Sequence, residues 1–375
     1  MKKTSVIRLA ALIALSGTAS YGIPAWGDGK GTELFVTGTA GGQYDDNIFL
    51  RTNNAKSDYI ATLTPGLQLL FGQGTDLSGS LTYGETFSFF QDNTSQNSSL
   101  ANVSFLSSFN DQKLKATCNA SFVQMAQNSY SARAYGYLIR RDVANGLANA
   151  EVKVSEKTSV AVGGVYDRTE YKMKPFVNNE IYRIPAHFYY ELTPKSDLDI
   201  LFQYRNTTQK GSALDSHDYL VGLGARGEFT AKLSGEFHAG AAARHYSNGS
   251  DTTLTNIGSS LVYTYSPKTL FQFGLSRDFD AVGSGTPVTS NMVNVSGSSE
   301  FTKTVTGIAM FTYRQMDYYQ TGQTDKYWEG TLAAKYKFNN YVSLDAGVTH
   351  RHNGSTAAGA EFNDNVFTVS VSARY

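Results

Sequence analysis

Phe367-Thr-Val-Ser-Val-Ser-Ala-Arg-Tyr375 closes the chain with apolar or aromatic side chains at Phe367, Val369, Val371, Ala373 and Tyr375. Thr368, Ser370, Ser372 and Arg374 fill the positions between. A two-residue period puts these sets on opposite faces of a strand; a helix would need apolar residues three and four apart. The pattern recurs upstream. Leu198, Ile200, Phe202 and Tyr204 oppose Asp199, Gln203 and Arg205, and Tyr182, Ile184, Ala186, Phe188, Tyr190 and Leu192 oppose Arg183, His187 and Glu191. The spacing predicts an all-β chain.

Short polar turns punctuate the strands: Gly72–Thr75, Asn110–Lys113, Ser155–Thr158, Thr193–Ser196, Thr230–Lys232, Ser266–Thr269, Thr302–Thr304 and Phe338–Asn340. Centred near 74, 111, 156, 194, 231, 267, 303 and 339, they lie 37, 45, 38, 37, 36, 36 and 36 residues apart. A fixed period marks a repeated unit. Here the unit is strand, longer loop, strand and short turn, so eight turns join nine hairpins into 18 strands. Sixteen or twenty strands also fit boundaries read from sequence. The opposite-end loops Gln91–Ser99, Gly211–Ser216, Asn248–Thr252, Val282–Ser290 and Asn353–Asp364 are rich in Asn, Ser, Gly and Asp. Short turns at one end and longer loops at the other predict a transmembrane antiparallel β-barrel with periplasmic turns and extracellular loops. A β-propeller has units of similar length but four shorter strands in each. In hydrocarbon only closure removes a sheet's two unpaired edges.

Composition agrees. The 375 residues are 41% hydrophobic, 13% aromatic and only 17% charged, against about 25% charged in ordinary soluble domains. Equal numbers of basic and acidic residues, 32 each, argue against a nucleic-acid partner. One cysteine, Cys118, forms no internal disulfide and sits on the apolar face of its strand. No metal or other cofactor is implied. Lys2, Lys3 and Arg8, the apolar run Leu9–Leu15 and small Ser16–Ser20 have the layout of a secretory signal peptide. Residues 1–26 are therefore expected to be removed on export, leaving 27–375 as a single barrel domain with 29 basic against 32 acidic residues.

A terminal aromatic preceded by alternating apolar residues resembles the strand that outer-membrane barrels present to their assembly machinery, with Tyr375 as the contact. Gly42-Gln-Tyr-Asp-Asp-Asn-Ile-Phe49 followed by Ser57-Asp-Tyr-Ile-Ala-Thr-Leu-Thr-Pro-Gly-Leu67 resembles the outer-membrane β-barrel porin family of Gram-negative bacteria. Some of its members accompany exopolysaccharide synthesis and export. The resemblance implies an integral outer-membrane barrel contacting lipid and lipopolysaccharide. It also implies a role in passing a polysaccharide, with periplasmic export components as partners.

The chain begins its first strand near Thr32, which leaves no room for a plug domain, so the expected activity is passive diffusion of hydrophilic solutes through a polar lumen. The alternative is a non-conducting structural or surface-interaction barrel filled by its own side chains. Alternation points Arg205, Arg226, Glu228, Glu236, His238, Arg244, Arg314, Lys335, Asp345 and Arg351 inward as pore-lining residues. A basic residue facing lipid at the midplane would cost about 2–4 kcal/mol. Arg168, Arg205, Arg244, Arg277, Arg314 and Arg351 recur at gaps of 37, 39, 33, 37 and 37, a similar height. Parity turns Arg168 and Arg277 outward and the other four inward. Two expectations follow for those four: an anion-holding basic arc, or rim arginines paired with neighbouring acids. Loops Gln124–Arg140 and Ala281–Ser290 are the candidate constrictions. Paired aromatics such as Tyr189-Tyr190 and Tyr327-Trp328 suit an interfacial girdle, with inward Tyr189 and Tyr327 as a sugar-stacking alternative. The six histidines are scattered, and no catalytic site is expected. His350 and His352 share one strand face and could hold a metal with a loop acid such as Glu361 or Asp364, but solvated rim histidines are the expected reading.

Overall fold

A computed structural model describes residues 24–132, 136–211 and 214–375. Of the segment read as a signal peptide, residues 1–23 lie outside the described residues. A two-residue strand, β1 (Trp26–Gly27), pairs with the foot of β2 (Glu33–Asp45). From β2 the wall runs through β3 (Asp58–Phe71), β4 (Leu77–Phe90), β5 (Ser98–Asn110), β6 (Leu114–Ala126) and β7 (Arg140–Lys153). It continues with β8 (Thr158–Tyr171), β9 (Asn178–Thr193), β10 (Ser196–Lys210), β11 (Ser216–Glu228), β12 (Leu233–Tyr246) and β13 (Asp251–Ser266). The remaining strands are β14 (Thr269–Ala281), β15 (Pro287–Glu300), β16 (Val305–Tyr318), β17 (Thr324–Lys337), β18 (Val342–Ser355) and β19 (Phe362–Arg374).

Each of these pairs antiparallel with its sequence neighbours, and β19 returns to β2 from Val366↔Asp45 to Arg374↔Thr37. Tyr375 completes the seam: its carbonyl accepts from the Val36 amide at 2.5 Å, and its amide donates to the Val36 carbonyl at 2.8 Å. The result is a closed 18-stranded barrel. All eight short turns fall between strands where the sequence period puts them. The shortest barrel strands have 13 residues. At about 3.3 Å per residue and a tilt of about 40°, these climb roughly 33 Å, enough to cross an apolar band about 25 Å tall.

The outer face is apolar and bare. Phe367 and Val369 are 52% and 53% exposed, and Ile184, Phe202, Val221 and Leu223 are similarly uncovered. Such a belt is stable only against lipid. Cys118 is exposed on the same face. Val369→Arg is expected to cost about 2–4 kcal/mol in reversible unfolding from lipid vesicles, because it puts a guanidinium in hydrocarbon. Thr368→Arg, one residue away on the lumen side, should cost little; equal costs would contradict the assigned faces.

The ladder is interrupted where its chemistry requires. Pro185 has no amide to give, so β8 and β9 skip two pairs opposite Gly163–Gly164, and Pro65 does the same between β3 and β4. A third break is larger. Pairing between β13 and β14 stops at Ile257↔Arg277, although β13 continues up to Asp251 against β12 and β14 continues to Ala281 against β15. Above Arg277 the end of β14 parts from β13 while staying paired with β15, and it leans into the lumen, where Phe279 packs with inward side chains of β10–β13.

Candidate functional site

The upper lumen is organised by cross-strand register. Arg205, Asp218 and Arg244 sit directly opposite one another on β10, β11 and β12, all pointing inward. Asp218 accepts from Arg205 Nε on one side and from Arg244 Nε (2.6 Å) and Nη2 (2.9 Å) on the other. The three side chains are each 5% exposed or less. Arg205 also grips Asp278 with both Nη atoms, at 2.9 and 3.0 Å, and donates to the Phe279 carbonyl at 3.2 Å. Asp278 reaches it because the end of β14 has parted from β13 and leans inward. Phe279 follows and packs on Leu201, Leu220, Ala242 and Leu254, with the Arg244 guanidinium 4.4 Å from its ring centre.

The other arginines of the repeat are held too. Arg314 donates to Ser290 Oγ at 2.7 Å, to Asp280 and to the Tyr130 hydroxyl. Arg351 binds Asp364, with Asp45 3.6 Å away. On the outer face Arg168 pairs with Glu170 at 2.8 Å, and Arg277 donates to Asn291 at 3.0 Å. The four inward guanidinium groups thus form a belt of ion pairs rather than an arc of bare positive charge. The reason is register: each faces an acid across the ladder or on an inturned strand end.

Nearer the short turns, Arg226 straddles Glu151 (2.8 and 2.7 Å), donates to Asp197 at 2.9 Å and lies 3.3 Å from the centre of the Tyr189 ring. His187 stacks on the same tyrosine and bonds Asp199 at 3.0 Å. Glu236 and His238 share the inward face of β12, where His238 meets Asn256 at 3.1 Å. Lys335 and Asp345 face each other at 3.7 Å. Glu228 is placed differently: it pairs with Lys195 at the turn, and both side chains are more than half exposed.

The mouth opposite the turns is narrowed by loops that pack on each other. The segment expected at Gln124–Arg140 is flanked by Ala126 and Arg140, paired in the wall, and its described residues 127–132 and 136–139 lie outside the strands. The part that carries Tyr130 reaches across the lumen. Tyr130 lies 4.6 Å from Tyr327 on the opposite wall and joins the cluster of Leu50, Tyr327 and Phe362. Ala132 and Ile139 pack with Tyr171, Met173 and Phe176. The second expected constriction is shorter than Ala281–Ser290, since only 282–286 is loop. The inturned Asp278–Ala281 adds to it.

A third participant went unforeseen: the loop 46–57, whose Ile48 and Phe49 bury against Ile60, Phe90 and Leu138. Asn47 pins it by donating to the carbonyls of Arg51 (2.9 Å) and Asn363 (2.8 Å). Its sequence signal is the unalternated triplet Ile48-Phe-Leu50 beyond a strand end. A cavity of about 380 Å³ remains among the loops, touched by Leu50, Tyr130, Phe176, Tyr318, Asp325 and Ala360.

His350 and His352 point outward, bonded to Asn365 (2.7 Å) and Asn363 (2.8 Å) and packed on Trp328. Asp364 points the other way, to Arg351. Among the described residues no cluster of three or more His, Cys, Asp or Glu suits a metal ion.

A closed 18-stranded wall, bare and apolar outside, with a polar lumen and loops drawn into one mouth, defines an outer-membrane porin-like barrel. The chain belongs to the family described as "Putative beta-barrel porin 2", whose profile matches residues 34–375. Solved structures with similar folds include OpdK of Pseudomonas aeruginosa with vanillate, at 10% identity and a TM-score of 0.46, covering 91% of this chain and 99% of that one. A BenF-like porin from Pseudomonas fluorescens matches at 10% identity and 0.48, covering 91% and 99%. OccAB4 of Acinetobacter baumannii matches at 10% and 0.45, covering 93% and 100%. No curated protein matches the chain.

Proposed function

We propose that this barrel is a passive conduit for small hydrophilic solutes across the outer membrane, narrowed at its loop-bearing mouth. The observation that carries this reading is that the wall is uncovered on both faces along part of its circumference. On β19 the consecutive residues Phe367, Thr368 and Val369 are all exposed, one to the lumen and two to the outside. Four and five strands further round, the inward Leu106 of β5 is 51% exposed, and the inward Lys115 of β6 is exposed as well. Inward side chains are thus left for water, as a barrel of this strand number allows. The ion pairs line the wall and the inturned end of β14, where they give the lumen polar texture and transverse fields.

A polysaccharide chain is a larger demand. Tyr130 on Tyr327 and the 46–57 loop stand in the mouth, so a polymer passes only if these contacts open. The same packing favours the non-conducting barrel as the second reading. Purified protein in planar bilayers separates them: a stable open-channel current in potassium chloride is expected, and silence at every voltage would defeat the conduit. In proteoliposome swelling, entry should fall steeply from a pentose to a trisaccharide.

A further inference from the structure

Arg141 stands apart from the other arginines of the lumen. It lies at the top of β7, on the inward face, directly opposite Met125 of β6 and Tyr171 of β8. It is partly buried, yet it has no ion pair or side-chain hydrogen bond among the described residues. The acids around it are already engaged. Its sequence neighbour Asp142 points outward and binds Lys172 at 2.7 Å. Asp167, lower on β8, holds Arg183 and Asn145. Asp280, on the inturned end of β14, holds Arg314. Met125 offers only a thioether.

The position is also the narrow one. Arg141 sits at the root of the 127–139 loop. The neighbouring Tyr171 ring stacks on Phe176 at 5.3 Å. Its hydroxyl approaches the 282–286 loop so closely that a Cβ on Gly283 would stand 2.6 Å from it. Ala132 stands 3.0 Å from the same point, so the two inturned loops meet beside Tyr171, the residue opposite Arg141. An unshared guanidinium in a confined passage keeps its full forked donor set for a passing solute, whereas one already paired projects little field.

We infer that Arg141 is the specificity-determining residue of the constriction, taking the carboxylate of a small hydrophilic solute such as an acidic sugar. A neutral sugar gains nothing from it. The inference rests on the conduit reading for its transport consequence but not for binding. In planar bilayers under a potassium chloride gradient, Arg141→Gln is expected to lower the chloride-to-potassium permeability ratio several-fold. Arg141→Lys should keep most of the ratio, and the outward Arg277→Gln should leave it unchanged. Independently, calorimetry on detergent-solubilised protein should detect D-glucuronate binding that glucose does not share. Arg141→Gln should weaken that binding by tenfold or more, with folding verified by circular dichroism. A wild-type channel whose selectivity and glucuronate affinity are both untouched by Arg141→Gln overturns the assignment. A wild-type barrel that binds glucuronate through Arg141 but passes no current keeps the site and removes the conduit.

Discussion

Asp218→Ala is expected to destabilise the barrel by about 3–5 kcal/mol, the range for breaking a buried ion pair from one side. The carboxylate lies between Arg205 and Arg244, and all three side chains are nearly sealed from water. Without it Arg205 keeps Asp278, but Arg244 keeps only the rings of Phe279 and Tyr246. A buried guanidinium with no counter-charge carries most of the loss. Urea unfolding in lipid vesicles, followed by tryptophan fluorescence, measures the difference. The double variant Asp218→Ala with Arg244→Leu should recover a large part, because the orphaned charge leaves with its partner. A loss below about 1 kcal/mol would place the pair in the range of solvated surface ion pairs.

Replacing residues 127–139 with Asn-Gly is expected to raise single-channel conductance several-fold and to admit larger sugars. Ala126 and Arg140 already face each other across the ladder, so a two-residue hairpin joins them without moving the wall. What disappears is the span from Tyr130 to Tyr327 and the cover over Leu50 and Phe362. The Tyr130 hydroxyl also leaves Arg314, which keeps Asp280 and Ser290. Unchanged current and size limit would move the narrow point elsewhere, to the inturned end of β14.

The wall was legible in the sequence because a barrel repeats one rule. Alternation gave faces, and the turn at Thr230–Lys232 fixed which residues of β11 and β12 stand opposite. Counting from it pairs Asp218 with Arg244, so half of the upper belt was within reach of arithmetic; Arg205 meets Asp218 across the longer loop between β10 and β11, whose register no short turn fixes. Asp278 was not. Its pairing with Arg205 depends on β14 abandoning β13 at Arg277, and the only local mark is the polar run Ser276-Arg-Asp278, where the apolar series Phe271, Phe273, Leu275 lapses without saying where the strand goes. The mouth was half legible. A long gap between strands announced the 127–139 loop, but its inward course is set by aromatic contacts with the far wall, which no local period encodes. In the 46–57 loop, Ile48-Phe-Leu50 carried the clue, since three adjacent apolar residues cannot all face lipid from a strand end.

The break between β13 and β14 changes how the molecule responds to force. A hoop of hydrogen bonds resists widening evenly, but one slit at its upper edge yields at the slit. Strain on the upper rim falls between Asp251–Asn256 and Asp278–Ala281, where side chains replace the ladder: Asn256 donates to the Arg277 carbonyl at 3.0 Å, and Arg205 and Phe279 hold the end of β14 to β10–β13. Widening of the upper rim is therefore expected to begin at this side-chain seam, ahead of the ladder on either side of it.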